Sequence, residues 1–105
     1  MGFKVKFSHQ AAQDLSDIIR YISDTLINPP AAVHFYDCVS QKLDTISQNP
    51  RIYPLSRDKS LSSQGYRAAV IGNYLMFYLV NDESETINIA RVIYGKRDFT
   101  GIDFQ

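Results

Sequence analysis

The chain opens with a short alternation of apolar and basic positions. Phe3, Val5 and Phe7 alternate with two lysines, and this period of two is typical of a half-buried strand. Ser8 then supplies an oxygen that can cap a helix. Apolar side chains recur after it at spacings of three and four, which predicts an amphipathic helix with one buried stripe: Ala12, Leu15, Ile18, Ile19, Ile22 and Leu26.

Two prolines divide the helical region. Asn28-Pro29-Pro30 ends the first helix, because proline has no backbone donor and disfavours helical geometry in the residue before it. Proline is tolerated in a first turn, so the pattern predicts a second helix over 30–48, stopped by Asn49-Pro50. The short link favours antiparallel neighbours. The second apolar stripe is Ala32, Phe35, Tyr36, Val39, Leu43 and Ile46.

The second half of the chain predicts a loop and three strands. Residues 51–65 lose their periodicity and contain Pro54, the serines at 60, 62 and 63, and Gly65, so they form a long loop where function or mobility is plausible. Strands follow over 66–71, 74–80 and 86–94. The middle one is apolar on both faces and therefore central. A short tail, 96–105, ends the chain.

This order of elements, β-α-α-β-β-β, predicts an α+β fold. The expected architecture is an antiparallel sheet with the helical hairpin packed on one face. With 105 residues, we expect one domain spanning 1–105.

Composition places the chain among ordinary globular proteins, with 45% hydrophobic and 21% charged residues. The longest apolar run, 74–80, is far shorter than the roughly 20 residues that span a bilayer. The first residues lack the pattern of a secretory leader. We therefore expect a cytoplasmic protein that does not contact a membrane. Cys38 is the single cysteine, which excludes an intramolecular disulfide.

The formal net charge of zero conceals an asymmetry. Residues 9–49 carry two basic and five acidic side chains, a net −3, and the remainder carries nine basic and six acidic ones, a net +3. Such a chain could turn a basic face toward an anionic partner. A mixed, solvated surface explains the same numbers, and both readings stay open.

Three arginines lie in or just beyond the predicted strands, and we expect them on the sheet face that the helices leave open. These are Arg67, Arg91 and Arg97. Arginine presents a planar fork of donors that matches phosphate, and clustered positive charge stabilises an in-line attack on a phosphodiester. A single arginine on a solvent-facing sheet more often serves solvation or cross-strand pairing.

Other polar residues have plain structural explanations. His9 and His34 lie far apart without a third ligand at a recognisable spacing, so no metal site and no cofactor are expected. Asp14 and Asp17 could form a carboxylate pair, but acids early in a helix also favour its dipole. Cys38 is expected to be a small helix-packing residue.

Aromatic residues are concentrated in the predicted central strand. Tyr74, Phe77 and Tyr78 could stack on bases, yet in a central strand they are more often core. Tyr94 differs, because it ends the last strand beside glycine and two basic residues. It is therefore the aromatic side chain that we expect in an open patch.

The chain resembles the RelE/ParE toxins of type II toxin-antitoxin systems over nearly its whole length. The first half shares an Asp14-Leu15 helix, a link and a second helix ending at Asn49-Pro50. The C-terminal half supplies an ordered set of motifs: Gly65-Tyr66-Arg67, Gly72-Asn73-Tyr74, Phe77-Tyr78, and a last strand that runs into Gly95-Lys96-Arg97-Asp98.

The resemblance implies a toxin of the plasmid-stabilisation type, neutralised by a cognate antitoxin whose disordered segment wraps around it. Operator DNA would be reached only indirectly, through that antitoxin. ParE-like members inhibit DNA gyrase and are not nucleases, whereas RelE-like members cut mRNA on the ribosome. Only in the second case would the protein be an enzyme, an endoribonuclease.

The resemblance also assigns residues. Arg67 and Arg97 match catalytic arginines of RelE-like ribonucleases, and the remaining candidates for binding the target or nucleic acid are Arg57, Lys59, Arg91, Tyr94 and Lys96. Two departures weaken the nuclease. The terminal RelE tyrosine has no clear counterpart in 98–104, and the expected lysine pair is met only by Arg57 and Lys59. Because the chain is also neutral, the ParE-like function is preferred and the ribonuclease is the alternative.

Overall fold

A computed structural model describes residues 2–99 and 101–104. In chain order, its elements are β1 (Lys4–Phe7), α1 (His9–Arg20), a π-helical turn (Tyr21–Thr25), α2 (Pro29–Gln48), α3 (Lys59–Ser63), β2 (Arg67–Ile71), β3 (Tyr74–Asn81) and β4 (Thr86–Tyr94). The four strands form one sheet in the order β1-β4-β3-β2. The predicted fold class is confirmed. β2, β3 and β4 form the antiparallel meander, but β1 pairs with β4 in parallel.

The start of α1 is fixed by Ser8 in two directions. Its hydroxyl accepts a hydrogen bond from the Ala11 backbone N–H at 2.9 Å and donates one to the Ala90 carbonyl at 2.8 Å. The predicted cap is therefore confirmed, and it also ties the helix to β4. The predicted buried stripe is wrong at Ala12, which is exposed, because Ala11 faces the core instead.

The first helix does not end as a regular α-helix. The Leu26 N–H donates to the Tyr21 carbonyl and the Asn28 N–H to the Ile22 carbonyl, so the last turn is widened into a π-helix. Ile27 adopts a φ of +49°, which is rare for a β-branched residue. This geometry turns Leu26 and Ile27 outward, 55% and 82% exposed. The prediction that Leu26 belongs to the buried stripe is wrong.

The second helix agrees with its prediction apart from one side chain. The Asn28 side chain accepts a hydrogen bond from the Ala31 N–H at 3.3 Å, and the two prolines occupy the first turn. Phe35, with three other apolar residues, is buried. Tyr36 is exposed, because it lies about 100° around the helix from Phe35. Its assignment to the buried face is wrong.

The core lies mainly between the helices and one face of the sheet, which we call the inner face. Met76 and Tyr78 of β3 and Ile87 and Ile89 of β4 are fully buried there. The Tyr78 hydroxyl donates a hydrogen bond to the Pro50 carbonyl at 3.0 Å. This bond anchors the chain that leaves α2.

The other face of the sheet, the outer face, is also covered. Phe77 is fully buried beneath Phe99 and Phe104, with ring centroids 5.3 and 5.2 Å away. The Tyr66 hydroxyl donates to the Phe104 carbonyl at 3.1 Å. Residues 99 and 101–104, here called the C-terminal segment, therefore cover the middle of this face, while Val70 near its edge stays exposed. The expectation that the whole face would be open is wrong.

The predicted loop over 51–65 contains the short helix α3. Asp58 caps it by accepting a hydrogen bond from the Leu61 N–H at 3.0 Å, and Leu61 is buried against the outer face. An acidic cap followed three residues later by an apolar anchor was the available signal. The serines around it masked that signal, because serine is common in loops.

Candidate functional site

Arg67 begins β2 and projects on the inner side of the sheet, because it alternates with Ala69 and Ile71 of the inner core. Its guanidinium donates a hydrogen bond to the Tyr53 carbonyl at 2.8 Å. It lies opposite Tyr78 in the register. Burial raises the pKa of Tyr78, and the nearby positive charge of Arg67 opposes that rise. Arg67 thus holds the 51–58 segment against the sheet.

Arg91 is held by a nearly buried ion pair. Its Nε and Nη2 atoms donate to the two carboxylate oxygens of Asp14 at 2.7 and 2.9 Å, and the side chains are only 12% and 14% exposed. The same carboxylate accepts the Val92 N–H at 3.0 Å, and the Arg91 Nη1 donates to the Asp103 carbonyl at 2.8 Å. Hydrogen bonding to Asp14 raises the pKa of Arg91.

This pair has a structural origin that the sequence did not reveal. β1 is short and leaves the end of β4 without a neighbouring strand, so the Asp14 side chain satisfies the next backbone donor there. The register between β3 and β4 also shifts at Phe77/Tyr78. The sequence suggested that Asp14 either pairs with Asp17 or favours the helix dipole. Neither explanation includes its actual partners, which lie on the distant strand β4.

The structure does not gather the three arginines into one patch. Arg67 points to the inner side, whereas Arg91 is bound between α1 and the C-terminal segment. Arg97 lies in the turn after β4, where its N–H donates to the Tyr94 carbonyl, and it is exposed together with Lys96. The expected shared patch on the outer face is absent from the residues that the structure describes.

An apolar groove of about 520 Å³ runs along the edge of the sheet at β2, and we call it the edge groove. Leu55 and Val70 line it and are both exposed, and Arg57 contributes its charged rim. Backbone bonds from 54–56 pair with the first part of β2 only. Gly95 and Phe99 form the far wall, so the groove brings the loop containing Arg57 next to the turn that follows β4. Lys59 starts α3 nearby in sequence and is exposed.

A second cavity, of about 450 Å³, opens beside the π-helical turn, and we call it the tyrosine pocket. Tyr21, Tyr74 and Tyr94 form its walls, with Ile18 and Asp17 completing it. The rings of Tyr74 and Tyr94 meet edge to face, 5.8 Å apart. Burial raises the pKa of Tyr74, followed by the influence of the Tyr21 and Tyr94 phenols.

Tyr94 was expected in an open patch, and 44% of it is exposed. Tyr21 was not predicted as a site residue, because its position beside Tyr74 and Tyr94 depends on how α1 packs against the sheet. The π-helical turn has no simple sequence signal.

Metal ligands do not cluster in the part of the chain described here: no three His, Cys, Asp or Glu side chains converge. The His34 ring nitrogen lies 3.5 Å from the Cys38 sulfur, one helical turn away on α2. Within the same residues, no helix is both long enough and apolar enough to span a membrane.

Solved structures share this arrangement of a helical hairpin on a small sheet. A chain of the chromosomal ParDE toxin-antitoxin system from P. aeruginosa superposes with a TM-score of 0.68, at 19% identity, over 88% of this chain and 95% of that one. A chain of the RelBE2 toxin-antitoxin complex from Mycobacterium tuberculosis gives a TM-score of 0.61, at 23% identity, over 90% and 99%. The curated proteins give no significant sequence match.

The small α+β fold of this chain is thus shared with chains of a ParDE and a RelBE2 toxin-antitoxin system. Residues 5–99 match the sequence model of the ParE toxin of the type II toxin-antitoxin system parDE. The chain belongs to this ParE toxin family.

Proposed function

We propose that this toxin arrests growth by inhibiting DNA gyrase, as ParE-like toxins do, and that a cognate antitoxin neutralises it. The observation that carries the proposal is the engagement of two of the three candidate arginines. Arg67 is bound to a backbone carbonyl and Arg91 to a carboxylate, on two strands that β3 separates. The protein then acts by binding its target rather than by cleaving RNA.

A ribonuclease needs cationic groups that converge on one phosphate. The positive charge of Arg91 is balanced by Asp14, and its third nitrogen, Nη1, donates to the C-terminal segment. Moving Arg67 to a phosphate would release the Tyr53 carbonyl and the loop that it fixes. Both arginines therefore support structure, which favours a function without chemistry.

The exposed candidates suit a protein-binding surface. Arg57 lies at the rim of the edge groove, whose exposed Leu55 and Val70 provide apolar area. Tyr94 ends β4, Lys96 follows two residues later, and both side chains are exposed. Aromatic, apolar and basic side chains together are typical of protein interfaces. A disordered antitoxin segment that folds on binding could cover such a surface, and operator DNA would then be contacted only through the antitoxin.

A RelE-like ribosome-dependent endoribonuclease is the second candidate. It is favoured by one observation, that Arg57, Lys59 and Arg97 all have exposed side chains available to phosphates. These residues follow the order of the basic positions expected for that activity. In this alternative, Arg97 stabilises the scissile phosphate and Arg67 assists after a rearrangement.

The two candidates are separated by the damage that the toxin causes in cells. Expression without antitoxin should induce DNA breaks while translated mRNA stays intact. We expect Arg97→Ala to arrest growth as the wild type does, with Arg51→Ala as a matched control for loss of one exposed arginine. Rapid mRNA cleavage that disappears in Arg97→Ala would instead establish the ribonuclease.

The antitoxin part of the proposal has its own test. A short reading frame beside the toxin gene should encode a protein that co-purifies with the toxin and restores growth. We expect Val70→Asp, which places a charge in the edge groove, to weaken this complex more than Val33→Asp on α2, another exposed valine. Equal retention of both variants would remove the edge groove from the antitoxin interface.

A further inference from the structure

The tyrosine pocket has a geometry that packing alone does not require. Tyr21 closes α1 with a regular backbone hydrogen bond to the Asp17 carbonyl, and the π-helical turn starts at this residue, beside the start of β3 and the end of β4. Tyr21 and Tyr94 remain 48% and 44% exposed although they flank an apolar cavity. π-helical turns occur frequently at functional sites. The arrangement therefore provides aromatic walls that are open to solvent.

The electrostatic character of the pocket favours a cation. The faces of tyrosine rings are negative, and they attract guanidinium and ammonium groups. The carboxylate of Asp17 lines the same pocket, and Asp24 lies in the π-helical turn. Asp17 accepts a hydrogen bond from the Gln13 amide at 2.8 Å, which leaves its second oxygen for another donor.

The nearest cation of the chain itself competes only weakly. Arg20 lies 3.9 Å from Asp17 in an exposed pair with side chains 67% and 58% accessible, and such pairs exchange readily with solvent. Within the described residues, the cation that does sit over an aromatic ring is Lys42 on Tyr53, which belongs to the edge groove. The tyrosine pocket is not filled in this way.

We propose that the tyrosine pocket binds an arginine side chain presented by a partner protein. The planar guanidinium stacks on a tyrosine ring and donates to the Asp17 carboxylate, a combination that lysine matches less well. A nucleic acid is disfavoured, because the Asp17 carboxylate that lines the pocket would repel its phosphates. The net −3 of residues 9–49, which include both acids, complements a basic segment.

This inference extends the proposed function in one respect, since Tyr94 is also a candidate target-binding residue. Its test uses neither gyrase nor antitoxin, so the arginine-binding proposal and the proposed function can fail separately. The probe is N-acetyl-arginine N-methylamide, which is titrated into the purified toxin while NMR chemical shifts are recorded. The probe concentration rises to about 20 mM, because one exposed cation–π contact is weak. The citrulline analogue, of the same shape without charge, is the control ligand.

We expect saturable shifts centred on residues 17, 21, 74 and 94 with the arginine compound, and much smaller ones with citrulline. Tyr94→Ala should weaken binding about fivefold, the loss of roughly one cation–π contact, while Tyr94→Phe retains it. Tyr36→Ala removes a similarly exposed tyrosine elsewhere and should leave the binding of the arginine compound unchanged. Equal responses to the two compounds, undiminished binding by Tyr94→Ala, or no response at the highest concentration would each overturn the proposal.

Discussion

The Asp14–Arg91 pair joins α1, β4 and the C-terminal segment, so its removal should be costly. Asp14→Ala deletes the acceptor of three hydrogen bonds, two from Arg91 and one from the Val92 N–H. Because both side chains are nearly buried, the arginine is left without its counter-charge. Breaking such a pair costs about 3 kcal/mol, and the orphaned backbone donor adds to this loss.

The assay is the free energy of unfolding in urea, with the Arg51–Asp82 pair as an internal control. That pair has similar bidentate geometry, at 3.1 and 2.6 Å, but its side chains are 52% and 62% exposed. Asp82→Ala should therefore stay within experimental error of the wild type. If Asp14→Ala lowered the free energy of unfolding no more than Asp82→Ala does, burial would not be the source of the stabilisation, and the reasoning would be refuted.

Three further predictions concern the two faces of the sheet and the tyrosines. Tyr78→Phe should lower the free energy of unfolding by about 1–2 kcal/mol in urea, because it leaves the Pro50 carbonyl without its donor; an unchanged value would show that water replaces the bond. Phe104→Ala should lower the free energy of unfolding by about 2 kcal/mol, because a partly buried aromatic ring is lost; it should also increase binding of a hydrophobic dye, since it uncovers the outer face. Burial, and secondly Asp103, raises the pKa of Tyr66 above 10.0, so its folded form stays neutral longer than the unfolded one. The stability from this group is present below pH 10.0 and decreases as the pH rises through the folded pKa; Tyr66→Phe should flatten that alkaline decrease, and an unaltered slope would contradict the assignment.

Periodicity was a reliable guide wherever burial alone decides the structure. Alternation predicted β1, and spacings of three and four predicted both helices with their proline boundary. Phe35 and Phe77 were assigned to elements whose burial the structure confirms. In these segments each local preference agrees with the packing, so the hydrophobic pattern alone predicts the secondary structure.

The candidate site depended on contacts between distant residues, which periodicity does not contain. Asp14 pairs with Arg91 at the point where β1 has ended and the Val92 N–H has no strand partner. The same carboxylate accepts that N–H. Arg67 points inward because its parity matches Ala69, a register that no short motif specifies. Both arginines looked like free surface charges in the sequence, although the fold uses their donors.

The sequence did not predict that the C-terminal segment covers the outer face, for a related reason. Phe99, Ile102 and Phe104 have no helical or strand period, so the end of the chain resembled an ordinary tail. Their burial depends on Phe77, which presents an apolar surface only once the meander has formed. The position of such an irregular segment depends on the surface that it covers, which its own sequence does not indicate.

The most direct test of the central claim is supercoiling by purified DNA gyrase in the presence of the purified toxin. We predict inhibition that increases with toxin concentration, is retained by Arg97→Ala and is abolished by the antitoxin. Undiminished supercoiling at a large molar excess of folded toxin, together with cleavage of ribosome-bound mRNA by the same preparation, would contradict the account.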